Sequence, residues 1–165
     1  MKYFFVSLFT FWAFNNLLSQ SVIVPRDTSF TIEGTYAKES KKRPYIQIAC
    51  PSLPNNAKQE LNLVYKSIGK RDILLDIYYP ATIQKLKPAV LLIFGGGWSS
   101  GDKTHNNAMS FELVKHGFVA ISPEYRLTLE AKYPAAVFDL KDAIKWMKAN
   151  AFIYGIDTNK IAVLG

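Results

Sequence analysis

Three uninterrupted apolar runs, at residues 90–94, 118–121 and 161–164, are separated by stretches with helical spacing. A strand with one wet face alternates polar and apolar side chains. A strand with none reads as a continuous apolar run and belongs inside a parallel sheet covered by helices on both sides. Strand, helix, strand, helix, strand in this order predicts right-handed crossovers and an α/β architecture. The 165 residues amount to one domain, and a hydrophobic fraction of 49% is enough to build its core. No internal repeat is visible, which argues against a solenoid.

The remaining elements follow from local chemistry. Residues 61–68 and 73–79 are strand-like on either side of the turn Gly69-Lys70-Arg71-Asp72, with Pro80 after the second. That spacing predicts an antiparallel hairpin at the start of the sheet. Residues 106–116 have a helical pattern with Met109, Phe111 and Leu113 inward, and Gly117 ends it. Tyr133-Pro134 opens a longer helix, in which Ala136, Val137, Leu140, Ala143, Ile144 and Met147 share one arc. On that helix Asp139 and Asp142 read as a surface charge pair. Gly155 marks its exit, and Asp157-Thr158-Asn159 reads as a turn before the third buried strand.

The first twenty residues read as a secretory signal. Lys2 supplies the positive start, Tyr3 to Phe14 form a mostly apolar uncharged run, and Ser19 offers a small residue near a cut. An uncleaved anchor is the alternative. On the signal reading the protein is secreted or periplasmic, with no stable membrane span after signal removal. Residues 21–60 are broken by prolines and carry short β-like pieces such as Ser29-Phe30-Thr31-Ile32. They read as an N-terminal extension that wraps the sheet or helps form a lid, or as a linker. Cys50 is the only cysteine, so no disulfide closes within the 165 residues. The net charge is +7, but its one cluster, Lys38, Lys41, Lys42 and Arg43, is interrupted by Glu39. Scattered charge of this kind reads as a solvated loop rather than a nucleic-acid interface.

The first apolar run ends directly in Gly95-Gly96-Gly97-Trp98. Three glycines leave backbone N–H groups uncovered, so a ligand atom can approach them closely. Acyl transfer needs such donors where negative charge develops on a carbonyl oxygen. Two nucleotide readings fail on the letters. A dinucleotide loop requires a glycine where Ser100 stands, and a phosphate loop requires Lys directly after Gly101, where Asp102 stands. A tight turn without a ligand is the plain alternative.

Phe94-Gly95-Gly96-Gly97-Trp98 followed by Ser100-Gly101-Asp102 resembles the HGGG-type oxyanion loop of α/β-hydrolase esterases, of the hormone-sensitive-lipase and acetyl-esterase kind. Leu75-Asp76-Ile77-Tyr78-Tyr79-Pro80 resembles the strand before that loop. Ser122-Pro123-Glu124-Tyr125-Arg126-Leu127 resembles the family's D-Y-R-L stretch. Tyr133-Pro134-Ala135-Ala136, through Trp146, to Gly155-Ile156-Asp157-Thr158-Asn159-Lys160-Ile161 resembles the helix and turn before its nucleophile elbow. The resemblance covers residues 61–165. It implies a partial α/β-hydrolase fold: the N-terminal half of such a domain, with a mostly parallel central sheet, an antiparallel hairpin at its start, and flanking helices.

The resemblance further implies an oxyanion hole made by the N–H groups of Gly96 and Gly97, with Trp98 lining the substrate pocket and no cofactor. The implied substrate is a small-molecule or carbohydrate ester, and no nucleic-acid partner is implied. Phe94 stands where the family usually has histidine. The family's triad, Ser then Asp or Glu then His, falls beyond Gly165, and no complete G-x-S-x-G occurs in the 165 residues. His105 and His116 both precede the elbow position. Ser99, Ser100, Asp102 and His105 lie close in sequence without the geometry of a triad, and no spacing suits zinc. The expected function is a serine carboxylic-ester hydrolase, inactive as these 165 residues alone. Their last strand, central in the whole fold, is here expected to be an open apolar edge that invites association. A non-catalytic binding protein on the same fold and a serine peptidase of that fold are the alternatives.

Overall fold

The computed structural model describes Asp27 and residues 29–165. The expected signal segment lies outside the described residues. Five strands form one mixed sheet in the order β1-β2-β4-β3-β5. β1 (Ala57–Ile68) and β2 (Arg71–Pro80) make the expected hairpin, joined by only Gly69 and Lys70. β2 pairs antiparallel with β4 (Val119–Pro123). β3 (Lys87–Leu92) then pairs in parallel with β4 on one side and with β5 (Ile156–Leu164) on the other.

Alternate residues of the central strands point to opposite faces, as the pleat requires. Leu75, Ile77, Ala89, Leu91, Val119 and Ile121 pack under α3 (Ala135–Ala149) and α4 (Ala151–Tyr154), against Leu140, Ala143, Met147 and Tyr154. Tyr78, Val90, Leu92 and Ala120 pack on the other face, against Val114 of α2 (Asn107–Lys115). Both faces of β3 and β4 are therefore dry, which explains their unbroken apolar runs. Each large side chain so buried contributes about 1.5–3 kcal/mol of transfer free energy.

Five local expectations are corrected. Ser29 to Ile32 is not a strand: Thr31 accepts from Gly34 N at 2.9 Å and caps a helix, α1 (Ile32–Glu39). Met109 is exposed, and the buried residues of α2 are Ser110 and Val114. Residues 157–160 belong to β5 but bulge out of register, because Lys87 faces Ile156 whereas Ala89 already faces Ile161. Asp157 still closes a local turn there, accepting from Asn159 N at 3.0 Å. The end of β5 is the open edge expected of these 165 residues, so its apolar run is not buried like that of a central strand: Val163 is 52% and Leu164 48% exposed. Gly117 follows the end of α2 with positive φ, as the sequence pattern predicts, but the predicted long helix already stops at Ala149, and Gly155, also at positive φ, closes the separate α4. The basic residues at 38 and 41–43 are solvated. Among the described residues no helix is long and apolar enough to cross a membrane.

Candidate active site

The chain leaves β3, forms β4 on one side of it, then returns to form β5 on the other, and the connecting helices cover opposite faces. The sheet order reverses at β3, and open α/β sheets bind ligands beyond the carboxyl end of such a strand. That end carries Gly95-Gly96-Gly97. β5 finishes beside it: Leu92 faces Leu164, and Ile93 N donates to Leu164 O at 2.8 Å.

The bend is built from left-handed backbone. Gly96, Gly97 and Trp98 have φ of 133°, 63° and 64°. A β-carbon on Gly96 would overlap the Ser100 carbonyl, and one on Gly101 would overlap the Gly95 oxygen. Only glycine lets the two arms of the loop touch at those points. Ser99 N and Ser100 N both donate to Gly96 O, at 3.2 and 3.1 Å. The N–H groups of Gly96 and Gly97 meet no acceptor among the described residues, and both glycines reach the surface. The loop thus presents uncommitted donors on a fixed backbone.

Trp98 is not a glycine, and its conformation costs about 1–2 kcal/mol. Residues 125–128 hold it there. Thr128 donates to the Trp98 carbonyl from both N (2.9 Å) and Oγ1 (3.1 Å). Tyr125 packs against the Trp98 ring at 5.4 Å, stacks on Phe94 at 4.3 Å, and donates its hydroxyl to Phe94 O at 2.6 Å. Burial pushes the Tyr125 phenol up to about 12, so it remains a donor across the neutral range. Phe94 is thereby a stacked core residue rather than a polar partner of the loop.

Beside the bend lies a cleft of about 330 Å³, lined by Gly97, Trp98, Arg126, Thr128, Tyr133 and Val137 among others. Trp98 is 48% exposed and Tyr133 is exposed. Arg126 brings no free charge to the cleft. Its guanidinium grips Asp139 with two bonds, Nε to Oδ2 at 2.8 Å and Nη2 to Oδ1 at 2.9 Å. Asp139 also accepts from Arg126 N at 3.1 Å and from Lys66 Nζ at 2.7 Å. It is therefore a fully buried anchor, not half of a surface charge pair, and only Asp142 keeps the outer position. Burial pushes the Asp139 carboxyl upward, but the bonds from Arg126 and Lys66 outweigh it and hold the group below the usual carboxylate range.

The local Ser/Asp/His cluster does not assemble. Ser99 Oγ and Ser100 Oγ both donate to Gly96 O, at 3.1 and 3.2 Å, and Asp102 Oδ1 accepts from Thr104 N at 2.9 Å. His105 sits edge-on to Phe30, with a ring-centroid separation of 5.6 Å. His116 Nδ1 lies 2.8 Å from Glu112 O at the end of α2. Among the described residues no three His, Cys, Asp or Glu side chains converge as a metal site. Asp27 makes an isolated parallel bridge to Ser100 beside the bend.

Sequence spacing alone does not reach one feature beneath the bend. Lys103 is 6% exposed, and its Nζ donates to Asp76 Oδ1 at 2.5 Å and to Asn62 Oδ1 at 3.0 Å. The available signal was Asp76 itself, a carboxylate inside the apolar strand Leu74-Leu75-Asp76-Ile77. Such a group needs a cation.

A reversing mixed sheet with a glycine bend at its switch point and a cleft beside it defines a protein of the α/β-hydrolase fold. The chain belongs to the BD-FAE family, whose model matches residues 75–165. Carboxylesterase NlhH of Mycobacterium tuberculosis is 36% identical over 98 residues, covering 59% of this chain and 31% of that protein. A thermophilic esterase of Thermogutta terrifontis superposes with a TM-score of 0.58 at 31% identity, over 66% of this chain and 39% of that one. Esterase B of Lactobacillus rhamnosis shares the fold, with a TM-score of 0.62 at 24% identity, over 79% and 41%. The chain thus spans less than half the length of each of these relatives.

Proposed function

We propose that these residues are the oxyanion-binding part of a serine carboxylesterase. The observation that carries the reading is the pair of uncommitted N–H groups at Gly96 and Gly97, at the sheet's switch point and next to the end of β5. In this mechanism a serine carried beyond Gly165 attacks an ester carbonyl. The carbonyl oxygen becomes negative and accepts hydrogen bonds from Gly96 N and Gly97 N. The ester C–O bond breaks and the alcohol leaves with the serine's proton, giving an acyl-enzyme. Water then cleaves the acyl–serine bond to release the acid and restore the serine. Donors fixed before the reaction need no reorganisation, and losing one costs about 3 kcal/mol of transition-state stabilisation.

The cleft beside Trp98 holds the group attached to that carbonyl. Arg126 is neutralised by Asp139, so the cleft favours uncharged esters. The exposed aromatic side chains of Trp98 and Tyr133 at the cleft suit packing against a sugar, and we infer acetylated carbohydrate as the substrate class. The apolar leader with Lys2 supports action outside the cytoplasm.

The test is hydrolysis of p-nitrophenyl acetate. Residues 1–165 alone are expected to give no saturable turnover. The product of the same reading frame continued past codon 165 is expected to turn over and to be inactivated by a serine-directed phosphonate. Saturable turnover by residues 1–165, abolished by that phosphonate, would overturn the assignment of the nucleophile. A continued product that neither turns over nor is labelled would overturn the esterase reading.

A further inference from the structure

We infer that Lys103 is a positioning residue, whose buried ion pair with Asp76 sets the geometry of the Gly96 and Gly97 amides. The inference rests on the esterase reading for its purpose, but not for its geometry. A buried ion pair is a poor source of stability, because the desolvation of both charges offsets their attraction. What it supplies is a fixed position, and the connections of Lys103 show which position is fixed.

Lys103 is held at both ends. Its Nζ reaches Asp76 of β2 and Asn62 of β1, and its carbonyl oxygen accepts from Ser122 Oγ of β4 at 2.8 Å. Asn62 occupies a bulge of β1 opposite Asp76, with φ of 59°, and donates its N–H to Asp76 Oδ1 at 2.8 Å. A non-glycine residue in that region is held there by its surroundings. Asn106, three residues on from Lys103, donates from Nδ2 to Leu92 O and Ser122 Oγ, both at 3.0 Å. The end of the loop is therefore pinned to four strands.

The pin lies two residues from the returning arm of the bend. Ser100 and Gly101 fit against Gly96 and Gly95 so closely that no β-carbon is tolerated on Gly96 or Gly101. Ser99 N and Ser100 N close the turn on Gly96 O. A shift of Lys103 carries Gly101 and Ser100 with it, and Gly96 has no room to stay in place. The conformation of the donor amides is thus transmitted from Asp76 through Lys103 to Ser100.

The test compares amide hydrogen exchange in the wild type, Lys103→Met, and the double variant Asp76→Val with Lys103→Met, at low micromolar concentration. Replacing both partners by apolar groups removes the pair without leaving a buried charge, so the double variant keeps its fold and its melting temperature within a few degrees. The expected result is that Ser99 and Ser100 amides exchange at least about tenfold faster in the double variant, while Ile121 and Leu91 amides in the sheet keep their protection. Unchanged exchange at Ser99 and Ser100 in a folded double variant would overturn the inference. Loss of protection throughout the sheet in both variants would also overturn it, and would make the pair a folding element instead. Exchange reads the bend itself. Failure of the esterase reading would appear separately, as missing turnover in the continued product with Ser99 and Ser100 still protected.

Discussion

At Gly96 and Gly97 the same substitution meets two different obstacles. Gly97 lies in the left-handed region at φ 63°, but an added β-carbon would touch only Ser99 Oγ, 4.0 Å away. Gly97→Ala therefore carries only the backbone cost of about 1 kcal/mol. Gly96, at φ 133°, lies where side chains are rarely tolerated, and its β-carbon would collide with backbone at Ser100. Backbone cannot swing aside as a side chain can, so Gly96→Ala costs about 3 kcal/mol or displaces the returning arm. With about 2–4 °C of melting temperature per kcal/mol in a chain of this size, thermal melts separate the two variants. Equal melting temperatures would show that the arms of the bend do not touch as described. The three-glycine run was plain in the sequence, but its unequal members were not. Sequence shows that a residue is glycine, and only the neighbour across the bend shows why.

Three elements meet at Asp139, and a pH experiment isolates that junction. The residue joins α3 to Lys66 of β1 and to Arg126 of the segment after β4. An unfolded aspartate titrates near ~3.9, and the native one titrates lower. Above ~3.9 both states are ionised and the full stabilisation is present. As pH falls through the native value the buried carboxylate takes its proton and that contribution is lost. Asp139→Asn leaves Arg126 facing a neutral group, while Lys66 keeps its pair with Asp142, and is expected to cost about 3 kcal/mol at pH 7. The gap between variant and wild type in urea unfolding should narrow as pH drops below about 4. A gap that stays constant to pH 2.5 would show that charge is not what Asp139 contributes. The same helix shows what the sequence could and could not reveal. Leu140, Ala143 and Met147 were legible because their spacing repeats within α3 itself. Asp139 read as a surface residue because its partners lie 13 and 73 positions away, outside any local period. Asp76 and Lys103 were hidden for the same reason. α1 was misread because its determinant is a single capping bond from Thr31, while Phe30, Thr31 and Ile32 all favour strand composition.

Across the whole molecule, one strand order serves the site and exposes an edge. Placing β4 and β5 on opposite sides of β3 creates the crevice at Gly95-Gly96-Gly97, and it also leaves β5 paired on one side only among the described residues. Its last residues, Ile161-Ala162-Val163-Leu164, carry no charge and no proline, the features that protect sheet edges from pairing with another chain. Val163 and Leu164 are half exposed, yet their backbones are held in register by Leu91 and Leu92. The 165-residue chain is therefore expected to self-associate through this edge as its concentration rises. A lysine at position 163 would keep the pairing with β3, because that pairing is made by backbone groups, while its charge would repel a second β5. Val163→Lys should raise the concentration at which association begins, by sedimentation velocity, and leave the melting temperature within about 2 °C, since a half-exposed side chain contributes little burial. Identical association of the two proteins would place the sticky surface elsewhere, with exposed Phe152 and Ile153 of α4 the next to examine. A lower melting temperature with unchanged association would mean that Val163 packs within the fold instead of guarding its edge.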